Sequence, residues 1–331
     1  MRNDLSHEII LKVAKAFEKA QYSFSNESRK KIELAGLEPT LWREGEMDIF
    51  ALIKLLSEEG FKVHLTTNGS YLYDHIDDFK NSGVVLIRVS LHSMDPEIYH
   101  QITKQHNLEK VKLGIEKARE KGLSVKVNRV LIKGYLSDLP EQIEFCKKLE
   151  IPLKLYSLIP QCKNDMNIPK YFVSEYEVME KFLSGNFNVS VINKDFRRTR
   201  MKFTSDQIGN IEFKIFSIDY INHSYCLHCD MKTICREYFA EYLRFDNNYN
   251  LQFCLCRPDY SLDMSKKINE TEDKIADFLK NEIEKVFFNK GGKENLPYLS
   301  LRFIITENCN YRCGFPSGDL WCHREGVIRI V

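Results

Sequence analysis

Ser300-Leu301-Arg302-Phe303-Ile304-Ile305-Thr306-Glu307-Asn308-Cys309-Asn310-Tyr311-Arg312-Cys313 is an apolar strand pattern that runs directly into two cysteines, and Cys322 follows. The spacing is Cys-x3-Cys-x8-Cys. A strand over Tyr298–Thr306 would deliver all three thiols on one loop. Three thiolates can hold three irons of a [4Fe–4S] cluster and leave the fourth iron open to a ligand. Zinc would require a fourth protein ligand, which His323 could supply, so a zinc site competes on spacing.

Upstream, strand and helix patterns alternate. Strands are expected at Ile32–Leu37, Lys62–Thr67, Val84–Leu91, Leu123–Ile132 and Pro152–Ile159, each rich in Val, Ile and Leu as a strand covered on both faces should be. Helices are expected near Leu5–Ala20, Met47–Glu59, Tyr73–Asn81, Leu108–Lys121 and Leu139–Leu149, and Gly60, Gly83 and Gly122 stand where helix C-caps belong. Repeated strand–helix units imply parallel strands with crossover helices. Small and polar residues gather at the strand ends: Gly36-Leu37-Glu38-Pro39, Thr66-Thr67-Asn68-Gly69, Ser90-Leu91-His92-Ser93, Asn128-Arg129 and Leu158-Ile159-Pro160. That face is where parallel α/β barrels place their chemistry. The expected fold class is therefore α/β, a partial (β/α)6 TIM-like barrel.

A second cysteine group, Cys226, Cys229, Cys235, Cys254 and Cys256, lies in a polar, aromatic stretch. Cys146 and Cys162 stand alone and read as plain thiols. An amphipathic helix over Asn269–Phe288 and a linker around Gly291-Gly292-Lys293 precede the cysteine-bearing strand.

The charge balance, 48 basic against 47 acidic residues, gives no general reason to expect nucleic acid or a membrane surface as partner. No apolar run approaches the roughly 18 residues of a membrane helix. Met1-Arg2-Asn3-Asp4 opens polar, with no apolar signal core, so a cytoplasmic location is expected and thiols or metal ligands are favoured over disulfides.

With these residues in view, Ser300–Cys313 resembles the first strand and cluster loop of the radical S-adenosylmethionine (SAM) superfamily. Trp321 holds the aromatic position before the third cysteine, although eight residues separate Cys313 from Cys322 where the family has two. Gly36-Leu37-Glu38-Pro39 resembles the family's Gly-Gly-Glu-Pro turn, which receives the amino group of SAM, with Leu37 replacing the second glycine. The resemblance implies that Ser90 contacts the ribose or carboxylate of SAM, and Ile159 its adenine. It implies reductive cleavage of SAM to a 5'-deoxyadenosyl radical that abstracts hydrogen from a substrate, with flavodoxin or ferredoxin as reductant.

Within the superfamily, residues 28–160 and 296–326 are most similar to the GTP 3',8-cyclases of molybdenum cofactor biosynthesis. Thr66-Thr67-Asn68-Gly69, Arg88-Val89-Ser90-Leu91-His92-Ser93-Met94-Asp95-Pro96 and Val125-Lys126-Val127-Asn128 carry that likeness. It places Arg302, Thr66, Lys126 and Arg244 at GTP-contacting positions, and Glu33 where an arginine is expected. Cys226, Cys229 and Cys254 match an auxiliary [4Fe–4S] cluster. Cys235 inserts a spacing like that of SPASM and twitch extensions; with three ligands the cluster would keep an iron open to substrate, and with Cys235 or Cys256 as a fourth it would be closed. Two [4Fe–4S] clusters and SAM are the implied cofactors.

The order differs from that family, because the cluster strand comes last. The chain reads as circularly permuted: 1–165 the partial barrel, 166–292 the auxiliary-cluster region and C-terminal helix, 293–331 the displaced first strand and cluster loop. A reading frame joined across a circular DNA molecule is the other source of such an order. A maturase of a peptide or small natural product is the alternative function, and a homodimer is compatible with either. A non-enzymatic metal scaffold is disfavoured, because two cysteine groups and five strand ends agree.

Overall fold

The structure, a computed structural model, describes residues 4–25, 30–159, 167–183, 188–195, 198–215, 224–231, 235, 242–255, 257, 259–288, 300–306 and 308. It divides into two compact units, Met1–Leu65, Asn81–Val85 and Ala240–Asn308 forming one, and Thr66–Lys80, Leu86–Phe239 and Cys309–Val331 the other.

The chain opens with helix α1 (His7–Ser25), strand β1 (Lys31–Gly36), a 3-10 turn (Pro39–Leu41), and the small hairpin β2 (Arg43–Glu44) and β3 (Met47–Asp48). Helix α2 (Ile49–Glu58), β4 (Lys62–Thr67), α3 (Ile76–Ser82) and β5 (Leu86–Ser90) follow. Next come α4 (Pro96–Thr103), α5 (Leu108–Glu120), β6 (Val125–Leu131), α6 (Leu139–Lys148) and β7 (Leu153–Ser157). After α7 (Asn167–Tyr171) and α8 (Glu175–Phe182) lie β8 (Asn188–Asp195), β9 (Arg198–Ser205), β10 (Gly209–Ile215) and the short α9 (Ser224–Leu227). The last elements are β11 (Tyr242–Phe245), β12 (Asn250–Gln252), β13 (Ser261–Asp263), α10 (Glu272–Phe288) and β14 (Ser300–Thr306).

In the first unit the strand order is β13-β12-β11-β14-β1-β4. The strand expected at Tyr298–Thr306 is β14, and it runs parallel to β1 with Ile32 opposite Leu301 and Leu34 opposite Phe303. On its other side β14 is parallel to β11, with Leu243 opposite Leu301. Leu301, Phe303, Ile304 and Ile305 are all buried, which is why this short run can occupy the middle of a parallel sheet. Helices α1 and α10 pack against one another.

In the second unit the order is β5-β6-β7-β10-β9-β8. Strands β5, β6, β7 and β10 are mutually parallel in that sequence, and β9 and β8 add an antiparallel edge. Crossover helices α4, α5 and α6 connect the parallel strands, as the strand–helix alternation requires.

All six strands expected from the sequence are present: β4 has the expected bounds, β1 lies one residue earlier, β5, β6 and β7 are shorter by one or two residues at their ends, and residues 298 and 299 of the expected β14 lie outside the described residues. Gly60, Gly83 and Gly122 each take a left-handed φ after their helices. Helix α2 starts at Ile49 rather than Met47, because Asp48 is its N-cap, accepting from Ala51 N–H at 2.9 Å, while Met47 and Asp48 pair with Glu44 and Arg43. Helix α4 was not anticipated. Its start signal is nonetheless present, since Asp95 caps Ile98 N–H at 2.8 Å and Pro96 occupies the first turn. No helix among the described residues is long and apolar enough to cross a membrane.

Candidate functional site

The middle stretches of β1, β11 and β14 alternate between apolar and charged residues. One set, Ile32, Leu34, Leu243, Phe245, Leu301 and Phe303, is apolar and buried. The other carries charge: Glu33 lies opposite Arg302, Arg302 opposite Arg244, and Glu33 opposite His64. Because register partners share a face, these four side chains form one polar row. Arg302 Nη2 donates to Glu33 Oε1 at 3.0 Å, and both side chains are buried. Withdrawing two charges from water is costly, so either one alone would be strongly unfavourable here. Arg244 is equally buried.

At the end of β1 the backbone is stitched to the end of β14. Leu37 N–H donates to Thr306 O at 3.3 Å and Glu38 N–H to Asn308 O at 2.9 Å. Gly36 has φ +155°, and a Cβ placed on it would stand 2.5 Å from Thr306 O, so only glycine fits. The Glu38 carboxylate is fully buried and turns inward to cap the 3-10 turn, Oε1 accepting from Thr40 N–H at 3.1 Å and Thr40 Oγ1 at 2.6 Å. The N-terminal segment joins the same assembly: Leu5 N–H donates to Ile305 O, and Trp42 Nε1 donates to Leu5 O.

In the second unit the apolar face is Val89, Val127, Leu153, Leu155, Ile211 and Phe213, and the alternate face is polar. Ser90 lies opposite Asn128, Asn128 opposite Lys154, and Lys154 opposite Glu212; one step back, Arg88 lies opposite Lys126. Lys126 Nζ donates to both oxygens of Glu212, at 2.7 and 2.8 Å. Asn128, Lys154 and Glu212 are all buried.

The loop after β5 is held by one guanidinium. Arg129, wholly buried, bonds Asp138 at 2.7 and 3.2 Å, Gln142 Oε1 at 3.0 Å and Tyr135 O at 2.8 Å. Asp138 in turn accepts from Ser93 Oγ at 2.6 Å and Met94 N–H at 2.5 Å, and Gln142 Nε2 donates to Leu91 O at 2.7 Å. Burial alone would raise the Asp138 carboxyl. The Arg129 bonds and charge, with those from Ser93 and Met94, outweigh it and hold the group below the ordinary range. His92 is pushed down to about 3, first by burial and then by the Arg129 charge, so its ring is neutral, and its Nδ1 accepts from Val130 N–H at 3.3 Å.

Residues 3–146 match the family described as the Radical SAM superfamily. A "Probable GTP 3',8-cyclase" of Methanocaldococcus jannaschii is 31% identical over 248 residues, 74% of this chain and 74% of that one. The chain belongs to the radical SAM superfamily. A GTP 3',8-cyclase of Nautilia profundicola is 27% identical over 253 residues, covering 75% of this chain and 76% of that one. Among solved structures, archaeal TYW1 shares 16% identity at a TM-score of 0.40, over 58% of this chain and 67% of that one.

Radical SAM membership implies SAM and a [4Fe–4S] cluster as cofactors, and the residues around the β1 turn fit them: the backbone of Gly36, Leu37 and Glu38 lies against Thr306 and Asn308, immediately before Cys309. Cys309, Cys313, Cys322, Trp321 and Cys256 themselves lie outside the described residues. Ser90 ends β5, Ile159 lies two residues beyond the end of β7, and Thr66 lies near the end of β4, two residues beyond His64 on the same strand face. Cys226, Cys229 and Cys235 are half-buried thiols and Cys254 is buried. Among the described residues no three His, Cys, Asp or Glu side chains converge as metal ligands.

Sequence reasoning missed Lys154 and Glu212. The available signal was a single charge inside each apolar strand, in Leu153-Lys154-Leu155 and Ile211-Glu212-Phe213. It was readable as ordinary alternation until the register brought both charges onto the face of Ser90 and Asn128.

Proposed function

We propose that this radical SAM protein binds SAM at the Gly36–Glu38 turn, with Cys309, Cys313 and Cys322 holding the adjacent cluster, and abstracts hydrogen from a bound substrate. The observation that carries this reading is the bond from Glu38 N–H to Asn308 O, which sets the turn one residue from the first cluster cysteine. Bound there, the cofactor pair supplies a 5'-deoxyadenosyl radical by one-electron reductive cleavage, with flavodoxin or ferredoxin as donor. The protein's own contribution is to orient: Gly36 admits the close backbone approach, buried Glu38 fixes the turn, and Ser90 and Ile159 take the ribose or carboxylate and the adenine. Cys226, Cys229 and Cys254, with Cys235 or Cys256, would hold a second cluster. The late position of β14 beside β1 supports a circularly permuted order, with 1–165 as the partial barrel, 166–292 as the auxiliary region and 293–331 as its displaced first strand and loop.

Likeness to GTP 3',8-cyclases makes a nucleotide the first substrate reading, with Arg302, Arg244, Thr66 and Lys126 as its contacts. A specific observation favours the second, a peptide or small natural product: Glu33 occupies the row with Arg302 and binds it, placing a carboxylate where a triphosphate would need cations. Formation of 5'-deoxyadenosine from SAM after anaerobic reconstitution and reduction tests the enzyme, and its absence would overturn it. Turnover of GTP separates the two substrates.

A further inference from the structure

A parallel sheet covered on both faces is normally apolar on both. The second unit departs from this in one place. Around Asn128 one face carries the half-buried Arg88 and Lys126 and the buried Lys154 and Glu212, and Asn128 itself is only 3% exposed. Among the described residues neither Oδ1 nor Nδ2 of Asn128 has a hydrogen-bond partner. A buried amide left in that state costs about 1–3 kcal/mol, which marks a group shaped for a ligand rather than for the core. Its two edges, one donor and one acceptor, suit a ligand edge of the same kind, such as a carboxamide, a peptide bond or a nucleobase.

We propose that this face is a ligand subsite in which Asn128 meets such a neutral polar edge, and that Glu212 sets its specificity by engaging Lys126. The proposal rests on the radical SAM reading above and deepens it by naming the substrate class. Both Glu212 oxygens lie within 2.8 Å of Lys126 Nζ, so the cation that would otherwise attract a phosphate is already neutralised within the protein. A polyphosphate approaching this face must break that pair and then lie beside a buried carboxylate, and repulsion between like charges is strongest where water is excluded. The subsite therefore rejects polyphosphates and keeps its polar contact for an uncharged group.

Inorganic tripolyphosphate is the direct probe, titrated calorimetrically into the reconstituted, SAM-loaded protein at low ionic strength. The wild type is expected to bind it no better than millimolar. Glu212→Gln frees Lys126 and should tighten binding about ten- to a hundredfold, the range of a charge-assisted hydrogen bond, and Lys126→Met in that background should abolish the gain. Lys126→Met alone should not tighten the weak wild-type binding. Micromolar binding by the wild type, its loss in Lys126→Met, or a gain that survives the double substitution would each overturn the proposal. If Glu212→Gln fails to fold, the wild-type and Lys126→Met titrations still decide it. Formation of 5'-deoxyadenosine in the same preparations reports separately on the radical SAM reading.

Discussion

Glu38 and Asn308, near opposite ends of the chain, are joined by a backbone hydrogen bond of 2.9 Å. The turn and the end of β14 are thus one local structure assembled from distant sequence. Gly36 is the pivot, because any side chain there meets Thr306 O. Gly36→Ala should cost about 1–3 kcal/mol of stability through strain at that contact and weaken SAM binding. Titration of SAM into protein with verified iron content checks this; unchanged affinity would remove the turn from the site.

Glu33 and Arg302 neutralise each other in a buried row. Glu33→Gln should destabilise by about 3–5 kcal/mol, since it leaves the guanidinium without its carboxylate. Added GTP should restore part of that loss, and Glu33→Arg should strengthen GTP binding by about 1–3 kcal/mol. Denaturation midpoints with and without GTP measure the first, and titration of GTP the second.

The two cysteine groups predict about eight iron and eight sulfide per chain after anaerobic reconstitution. Replacing Cys309, Cys313 and Cys322 by alanine should remove about half of each, and replacing Cys226 and Cys229 the other half. Only half the iron in the wild type would eliminate the second cluster, and stoichiometric zinc without iron would eliminate both.

His92 gives a pH signature. Its folded-state pKa of about 3 lies below the unfolded value of 6.5, so the unfolded chain binds the extra proton between those limits. Its contribution to stability is whole above pH 6.5 and declines as pH falls toward 3. The wild type should therefore lose up to about 1.4 kcal/mol more per pH unit than His92→Asn across that interval, measured by urea denaturation. Parallel pH profiles would contradict the burial of a neutral ring.

Asp138 follows the same protonation sign, although here the deprotonated form is the charged one. Its carboxyl is held down by Arg129, so the pair stabilises above the ordinary carboxylate range and fails as pH drops through the depressed value. Asp138→Asn should cost about 3–5 kcal/mol at neutral pH, and the difference from wild type should shrink below about pH 4. Guanidinium denaturation at several pH values would show it.

What could be read from sequence alone follows physical lines. Strands β1, β4, β5, β6, β7 and β14 are short runs rich in Val, Ile and Leu, so composition marks them even where one face carries charge. Helix α4 was lost because eight residues give too little periodicity, although Asp95-Pro96 announced its start. Strands β8 to β10 are half polar and resemble loop. Glu33 was visible as a departure from a motif, yet its bond to Arg302 depends on a register between strands remote in sequence. The Lys126–Glu212 pair was hidden for the same reason.

The seat of β14 between β1 and β11 has a consequence for how the protein is made. A chain emerging from the ribosome presents β1 and β11 long before the strand that separates them exists. Until β14 is released, two apolar strand edges wait unpaired, open to each other or to a neighbouring chain. The strand that closes this gap leads directly into Cys309 and Cys313, the proposed cluster ligands. Completion of the sheet and delivery of those thiols are therefore one event that follows β1 and β11, and a chain truncated just before β14 loses both together.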